Sequence, residues 1–500
     1  MRTPRFVAVS NRLPVKLTRD EDGTIRPLAE VGGLVSALAP VLSNRGGQWV
    51  GWPGVEHTAD LDHVLEEASR AAGYVLRPVY LARADAELYY NGFSNGIIWP
   101  LFHDLPSRCN FTPEAWDAYQ RANQSFATVV ADSCAESEHI WVHDYHLMRV
   151  GRELREMGVT APLGFFLHIP FPPLDMFLRL PWRAEVLLAL LAYDLVGFQT
   201  LRDRRNFLYC VRHLLPGCAT RGQGRVVTVD YEGREVRVGS FPIGIDYTDF
   251  RERAGSVAVR SAAEQLREQL GDRTLILGVD RLDYSKGIPE KLEAFRSALL
   301  RYPELQGKTT LVQIAVPSRL DVPEYQELRV RIERLVGEIN GQFTRGGWAP
   351  IQYLFRRVDR AELLAHYVAA DVALITPLKD GMNLVAKEYC ACSSDRPGVL
   401  ILSEFAGAAS QLHRWALTVN PHDVKEVAEA IYLGCTMTSS EKRTRMRHMR
   451  RSLKAHDIYR WVDDFLSAAA GKSLQDFPFQ EEYMPPLEDR TDRGDRPATS

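Results

Sequence analysis

The stretch Arg281-Leu282-Asp283-Tyr284-Ser285-Lys286-Gly287 puts two permanent cations into one turn, directly after the apolar run 276–279. Fixed positive charge in a dry cleft stabilises a diphosphate as its bond to a sugar breaks and negative charge grows on it. Gly287 allows close backbone approach there. Asp283, lying between the cations, leaves a plain structural ion pair open as the other reading. Further on, residues 371–376 read as a buried strand, followed by Asp380-Gly381-Met382-Asn383-Leu384-Val385-Ala386-Lys387-Glu388-Tyr389. A helix beginning at Gly381 or Met382 points unpaired N–H groups and the positive end of its dipole at whatever lies in front of it, which suits an anion. Glu388, about two turns in, is then within reach of a sugar hydroxyl.

Other candidates come from both halves of the chain. Arg12 and Arg319 together suit a second phosphate, because a guanidinium meets phosphate with two parallel hydrogen bonds. Tyr90-Asn91-Gly92-Phe93-Ser94-Asn95 and Trp99-Pro100 offer aromatic faces and amides of the kind that pack on a hexose, although such residues also serve as core lids. His143, His146 and His168 with Asp144 invite a metal reading. Alternation along a strand would split His143 and His146 between opposite faces, so hydrogen bonds to sugar hydroxyls are preferred and no metal site is expected. Asp20-Glu21-Asp22-Gly23-Thr24 resembles the D-x-D-G-T signature of haloacid-dehalogenase phosphatases, but Lys16, Thr18 and Arg19 precede it where that signature needs a buried strand. A hairpin turn around Asp22-Gly23 is expected there instead. Asp60 and Asp62 lie in a polar helix-start context and are not read as a metal-diphosphate motif.

These groups share a position. Arg12, the His143-to-His146 run, His168, Arg281 with Lys286, Arg319 and Asp380 each follow an apolar strand pattern, and strands alternate with helical patterns throughout. That order predicts α/β architecture with parallel sheets and ligands at the carboxyl ends of strands. Five hundred residues exceed one core, so two lobes facing a cleft are expected, with a boundary near residue 246. Residues 226–238 read as a small antiparallel hairpin. Residues 458–470 form a last amphipathic helix, and 475–500, Pro-rich and charged, are expected to be a disordered tail. A net charge of −3 with mixed signs argues against nucleic acid. The apolar runs are too short for a membrane span. Seven cysteines without a C-x-x-C pair suit reduced thiols. A cytoplasmic protein is expected.

The motifs resemble those of the α,α-trehalose-6-phosphate synthases, a family of retaining glycosyltransferases. The likeness covers residues 5 to about 465 and rests on Ser10-Asn11-Arg12, Gly32-Gly33-Leu34, Tyr89-Tyr90-Asn91, Trp99-Pro100, His143-Asp144-Tyr145-His146, Phe166 through Pro172, Phe198-Gln199-Thr200, Pro242 through Ile245, Arg281 through Gly287, Asp380 through Tyr389 and Phe405 through Ala408. The resemblance implies a GT-B fold of two Rossmann-like lobes, 1–245 binding the acceptor and 246–457 the sugar nucleotide, with helix 458–470 crossing back to the first. It implies glucose transfer from a nucleoside diphosphate glucose to glucose 6-phosphate without metal or other cofactor, and a homotetramer. Arg12, Tyr90, Trp99, Asp144 and Arg319 are similar to acceptor-site residues. Gly32, Gly33, Arg281, Lys286, Asp380, Gly381, Met382, Asn383 and Leu384 through Glu388, with Val385, Ala386 and Lys387 between, are similar to donor-site residues. His168 matches the residue against the transferred glucose, and the Val358 backbone would lie near the base, a variable turn that leaves UDP-, ADP- and GDP-glucose all open.

Retention by double displacement needs a carboxylate nucleophile. Asp144 and Asp380 are the cleft carboxylates, and the resemblance gives both to hydroxyl binding, so front-face attack is favoured, with Arg281, Lys286, His168 and Asp144 as the catalytic set. Two other readings stand beside this one: a phosphorylase, which would need a pyridoxal-phosphate lysine, and a non-catalytic sugar-phosphate sensor on the same fold.

Overall fold

Runs such as 6–9, 140–142, 276–279 and 372–375 show no polar alternation. That is the pattern of strands covered on both faces, and such strands pair in parallel because each crossover lays a helix over the sheet. The computed structural model describes residues 6–19, 25–29, 33–135, 138–319, 322–393, 396–471 and 483. The first half builds Phe6–Arg12 (β1), Val15–Arg19 (β2), Ile25–Ala29 (β3), Gly47–Trp52 (β4), Val75–Pro78 (β5), His139–His143 (β6), Leu163–Phe166 (β7), Leu195–Phe198 (β8), Ala219–Arg221 (β9), Val226–Tyr231 (β10) and Arg234–Ser240 (β11). The second builds Thr274–Arg281 (β12), Thr309–Val316 (β13), Ile351–Phe355 (β14), Val372–Ile375 (β15), Val399–Ser403 (β16) and Leu417–Val419 (β17).

The larger sheet runs β5-β4-β1-β6-β7-β8-β11-β10-β9 and is parallel as far as β11. The smaller, β14-β13-β12-β15-β16-β17, is parallel throughout. Two parallel-sheet lobes in series are therefore the architecture that strand–helix alternation predicts. In each sheet the strand order reverses beside one strand, β1 between β4 and β6, and β12 between β13 and β15. Crevices open at the carboxyl ends of such switch points. Arg12 ends β1 and Arg281 ends β12.

The structure adds to three local readings. The 226–238 hairpin forms, β10 pairing antiparallel with β11, and it also joins the larger sheet: β11 pairs in parallel with β8, Val238 opposite Val196, and β10 and β9 extend that edge. The reason is that Val229, Val236 and Val238 are fully buried, so the hairpin has a core to join. Strands β9 and β17 went unforeseen because three residues are too few to show a period. The aromatic segment at 90–95 is helical, since Leu88–Ile98 winds as a π-helix that passes straight into Trp99–Phe102. The turn expected at Asp22-Gly23 lies outside the described residues; the strands β2 and β3 pair antiparallel, Arg19 opposite Ile25.

The chain passes from the first lobe to the second through 241–245 and returns as the helix Ile458–Ala469. That helix lies on the larger sheet: the Phe465 ring stacks on Trp141 with centroids 4.2 Å apart, and the Trp461 indole donates to the Phe241 carbonyl at 3.0 Å. Arg225 and Asp464 form an ion pair at 2.8 Å beside them. Gly164 and Gly197 make room, for a Cβ on either would come within 2.8 Å of the Phe465 ring. Most of the tail after 471 lies outside the described residues; Tyr483 packs its ring 5.2 Å from that of His413. Among the described residues, no helix is long and apolar enough to cross a membrane.

Phe465→Ala should cost about 3–5 kcal/mol, the loss expected for emptying a fully buried aromatic site, read as a lower midpoint in urea unfolding. An unchanged midpoint would mean that the returning helix adds nothing to the first lobe.

Candidate active site

The cationic turn is built where β12 ends. Asp283 caps its own turn by accepting the Ser285 N–H at 2.9 Å, and Gly287 takes φ +63° before the helix Ile288–Arg301 starts. A Cβ on Gly287 would meet the Thr376 carbonyl and Leu378 at 3.0 Å, so the neighbouring strand end already requires glycine there. Lys286 donates to Asp380 Oδ2 at 2.6 Å, with both side chains about nine-tenths buried. The Lys286 partner is therefore Asp380, and Asp283 serves elsewhere. It accepts from the Tyr325 hydroxyl at 3.1 Å, Tyr325 in turn accepts from Arg319 at 2.6 Å, and the Arg319 guanidinium lies 4.0 Å from the carboxylate. Burial works to raise the Asp283 pKa, but Arg319, Arg281 and Lys286 outweigh it and hold the carboxyl below its ordinary value. Asp380 is held low in the same way, by Lys286 against burial.

Across the gap the first lobe presents an aromatic floor. The Arg12 guanidinium sits 4.0 Å from the centre of Trp52 and 5.6 Å from that of Tyr90. Gly54 at φ +86° leaves the space, since a Cβ there would fall 1.9 Å from Arg12. Tyr90 stacks on His146 with centroids 5.7 Å apart, His146 touches Tyr145 at 3.9 Å, and Tyr145 leads to Trp99 at 5.7 Å. Over Trp99 lie two second-lobe cations, Arg319 at 4.9 Å and Arg281 at 5.7 Å. Arg281 is exposed, but it is turned to this floor rather than away from the first lobe. Both Arg12 and Arg319 bear on His146, which burial already pushes well below the usual histidine range. Arginines from two lobes thus converge on one patch. The Lys379–Asp104 ion pair at 2.5 Å and Arg108, 4.8 Å from Tyr284, bridge the lobes at the rim.

Asp144 and His168 lie on the first-lobe side. Asp144 sits at φ +74°, an unusual angle for a residue with a side chain, and its Oδ1 accepts the His168 N–H at 3.2 Å. Burial pushes its pKa up to about 7 in spite of backbone hydrogen bonds and the charge of Arg281. The His168 ring is engaged at both nitrogens, with Gln199 Nε2 at 3.3 Å and His143 Nδ1 at 3.2 Å, and burial lowers its pKa to about 3. It cannot offer a ring proton to a sugar while these bonds stand. His168 meets the second lobe through its backbone, for a Cβ on Gly381 would fall 2.2 Å from its carbonyl oxygen. His143 likewise spends Nδ1 on His168 instead of a hydroxyl.

The helix expected to face an anion starts later than the sequence suggests. It spans Leu384–Cys392, because Asn383 adopts φ +54° and caps it by accepting the Ala386 N–H, while Asp380 Oδ1 accepts the Met382 N–H. The N–H groups of Leu384 and Val385, first in the helix, have no intrahelical acceptor and are the ones left for an anion. Lys387 is not brought to the cleft: its Nζ donates at 2.5 Å to both the Ile243 carbonyl and Gln411 Oε1, and burial lowers its pKa to about 7. Glu388 accepts from the Tyr367 hydroxyl at 2.9 Å. Val358 lies in the loop after β14, Gly33 opens the helix Gly33–Arg45, and Gly32 lies outside the described residues. Sequence reasoning missed Trp52 and Tyr325. Trp52 also ends a strand and could have been found by that rule, whereas Tyr325 sits on a helix and gave no signal.

Comparisons with known proteins agree on one family. Residues 4–471 match the model of glycosyltransferase family 20. The chain is 46% identical over 473 residues to the trehalose-6-phosphate synthase of Mycolicibacterium vanbaalenii, covering 93% of this chain and 96% of that one. It is also 46% identical over 476 residues to that of Mycobacterium avium, covering 94% and 96%. Among solved structures, the UDP-forming α,α-trehalose-phosphate synthase of Burkholderia xenovorans in complex with glucose-6-phosphate superposes with a TM-score of 0.84 at 34% identity, covering 93% of this chain and all of the other. An E. coli structure bound with UDP-2-fluoro glucose gives 0.83 at 36%, covering 94% and 99%.

A carboxyl whose folded pKa, about 7, exceeds its unfolded value of 3.8 holds its proton more tightly when folded. Its stabilising contribution is complete below the unfolded pKa and is lost as pH rises through the folded one. The unfolding free energy of the wild type minus that of Asp144→Asn should therefore fall between about pH 4 and pH 8. Urea titrations across that range check it, and a flat difference would overturn it.

Proposed function

The chain belongs to glycosyltransferase family 20, and from that premise we propose that it moves glucose from a nucleoside diphosphate glucose to the anomeric hydroxyl of glucose 6-phosphate, giving α,α-trehalose 6-phosphate. It is a glycosyltransferase with the two-lobed GT-B architecture. The observation that carries the proposal is the convergence of Arg12 from one lobe and Arg281 and Arg319 from the other on the Trp52, Tyr90 and Trp99 faces. A hexose phosphate needs an aromatic face and a guanidinium clamp, and a departing nucleoside diphosphate needs fixed cations facing the same point. The relatives' own ligands, glucose-6-phosphate and a UDP-glucose analogue, support this reading.

In this reading Arg12 and Arg319 take the acceptor phosphate, and Tyr90, Trp99 and Asp144 hold its ring and hydroxyls. Arg281, Lys286 and the N–H groups of Leu384 and Val385 take the diphosphate. Asp380 meets the transferred glucose, Glu388 the ribose and the Val358 backbone the base, with Gly33 beside the donor. UDP-glucose is the first donor to test, and ADP- and GDP-glucose are the alternatives. No bound metal is invoked, because the fixed cations supply the charge the leaving group needs.

The anomeric configuration is retained by front-face attack. A double displacement would need an ionised carboxylate free to attack the anomeric carbon. Burial raises the Asp144 pKa, and its Oδ1 already accepts the His168 N–H. Asp380 is already engaged by Lys286, Asn383 and the Met382 N–H. The departing phosphate oxygen then accepts the acceptor's proton while Arg281 and Lys286 hold the diphosphate in place. The homotetramer remains a proposal from family resemblance.

Incubation with UDP-glucose and glucose 6-phosphate should yield a nonreducing phosphorylated disaccharide and UDP, with parallel reactions ranking ADP- and GDP-glucose. Finding no disaccharide with any donor would overturn the proposal. Lys286→Ala should lower kcat by about a hundredfold to a thousandfold, the scale of losing one preorganised group that stabilises developing charge. Near-normal turnover would remove Lys286 from the leaving-group role. Arg12→Ala should raise the KM for glucose 6-phosphate by at least about tenfold and leave that for the sugar nucleotide nearly unchanged. Equal rises in both would refute the clamp.

A further inference from the structure

We infer that Gln199 is a positioning residue for glycosyl transfer: it holds His168 in one tautomer and one pose, and the His168 backbone in turn keeps Asp144 and Gly381 aligned across the cleft. The inference rests on the transferase reading and adds a residue whose amide is spent on Ile243 and His168. Gln199 is 2% exposed and follows β8 directly.

The two ends of its amide face different partners. The Ile243 N–H donates to Oε1 at 2.9 Å. An N–H must meet an acceptor, so this contact fixes which way the amide points and leaves Nε2 facing His168 Nδ1 at 3.3 Å. Nδ1 is therefore the acceptor nitrogen of His168, and its proton sits on Nε2. Nε2 lies 3.2 Å from His143 Nδ1 and donates to it, which puts the His143 proton on its own Nε2. One backbone N–H thus sets the tautomers of two buried histidines in series. Burial keeps both rings uncharged.

This relay spans the lobes. The Ile243 carbonyl accepts from Lys387, on the helix whose first N–H groups face the proposed diphosphate site. At the other end, His168 donates its N–H to Asp144 at 3.2 Å, and its carbonyl lies where any side chain on Gly381 would collide. A small displacement of His168 therefore moves a group of the acceptor site and the loop of the donor site together. Losses of alignment on this scale lower turnover without removing a contact to substrate.

Gln199→Glu is the discriminating variant. It keeps the length and an acceptor for the Ile243 N–H, but an ionised carboxylate cannot donate to Nδ1, so His168 must move its proton or turn. The variant should lose about tenfold to a hundredfold in kcat, with KM for both substrates within about threefold of wild type. In 15N-histidine-labelled wild-type protein without substrates, His168, assigned by difference with His168→Gln, should show its proton on Nε2. In Gln199→Glu the proton should appear on Nδ1 or on both nitrogens. Folded Gln199→Glu with kcat within about twofold of wild type, or a wild-type His168 protonated on Nδ1, would overturn the assignment. If the variant does not fold, the wild-type spectrum decides alone. Because that spectrum is read without substrates, its result is independent of whether the transferase reading stands.

Discussion

Like charges repel, and this cleft collects Arg12, Arg281, Arg319 and Lys286 around one space. They can be held there only if each has a counterweight that leaves the space between them open. Lys286 has Asp380, and Arg319 has Asp283 through Tyr325. Arg12 and Arg281 lie instead against the faces of Trp52 and Trp99, where the ring quadrupole attracts a cation without neutralising it. The arrangement differs between the cations: buried carboxylates fix some in position, and aromatic faces hold others without cancelling their charge. Removing one partner of a buried pair such as Lys286–Asp380 would strand the other, a loss of about 3–5 kcal/mol in comparable cases.

Holding these groups in place requires unusual backbone. The non-glycine residues at positive φ among the described residues are Asp104, Asp144, Glu232, Arg319 and Asn383, and all but Glu232 line or rim the cleft. Such angles persist only where the surroundings over-determine them, and they gather at functional sites for that reason. Glycine does the complementary work at Gly54 and Gly381, where a Cβ would fall 1.9 Å from the Arg12 guanidinium and 2.2 Å from the His168 carbonyl. The lobes therefore meet backbone to backbone at the His168–Gly381 contact, and the chemistry on either side is registered by that approach.

The returning helix gives the first lobe a role in the second. It follows the second lobe in the chain and lays Trp461 and Phe465 against Trp141, Phe166 and Phe241 of the larger sheet. Gly244 makes the crossing possible, since a Cβ there would come 2.3 Å from the Asp457 backbone. The chain thus passes between lobes twice at one place, Ile245 accepting the Ile458 N–H at 3.1 Å. Two adjacent segments of chain, rather than one linker, therefore join the lobes.

Local order along the chain was enough to give the parallel α/β architecture, and with it the rule that Arg12 and Arg281 end strands and Arg319 and Asp380 follow them, because burial on both faces leaves an unbroken apolar run that stops at the carboxyl edge of the sheet. It could also place Glu388 on a helix behind the turn. It could not say that Lys286 belongs to Asp380 instead of Asp283, that Asn383 delays the helix to Leu384, that Lys387 turns to Ile243, or that both nitrogens of His168 are already bonded. Those are contacts between residues far apart in the chain, or a choice among local caps, and no periodicity encodes which buried donor meets which acceptor. Only the folded packing, which brings donors and acceptors from distant parts of the chain together, decides that.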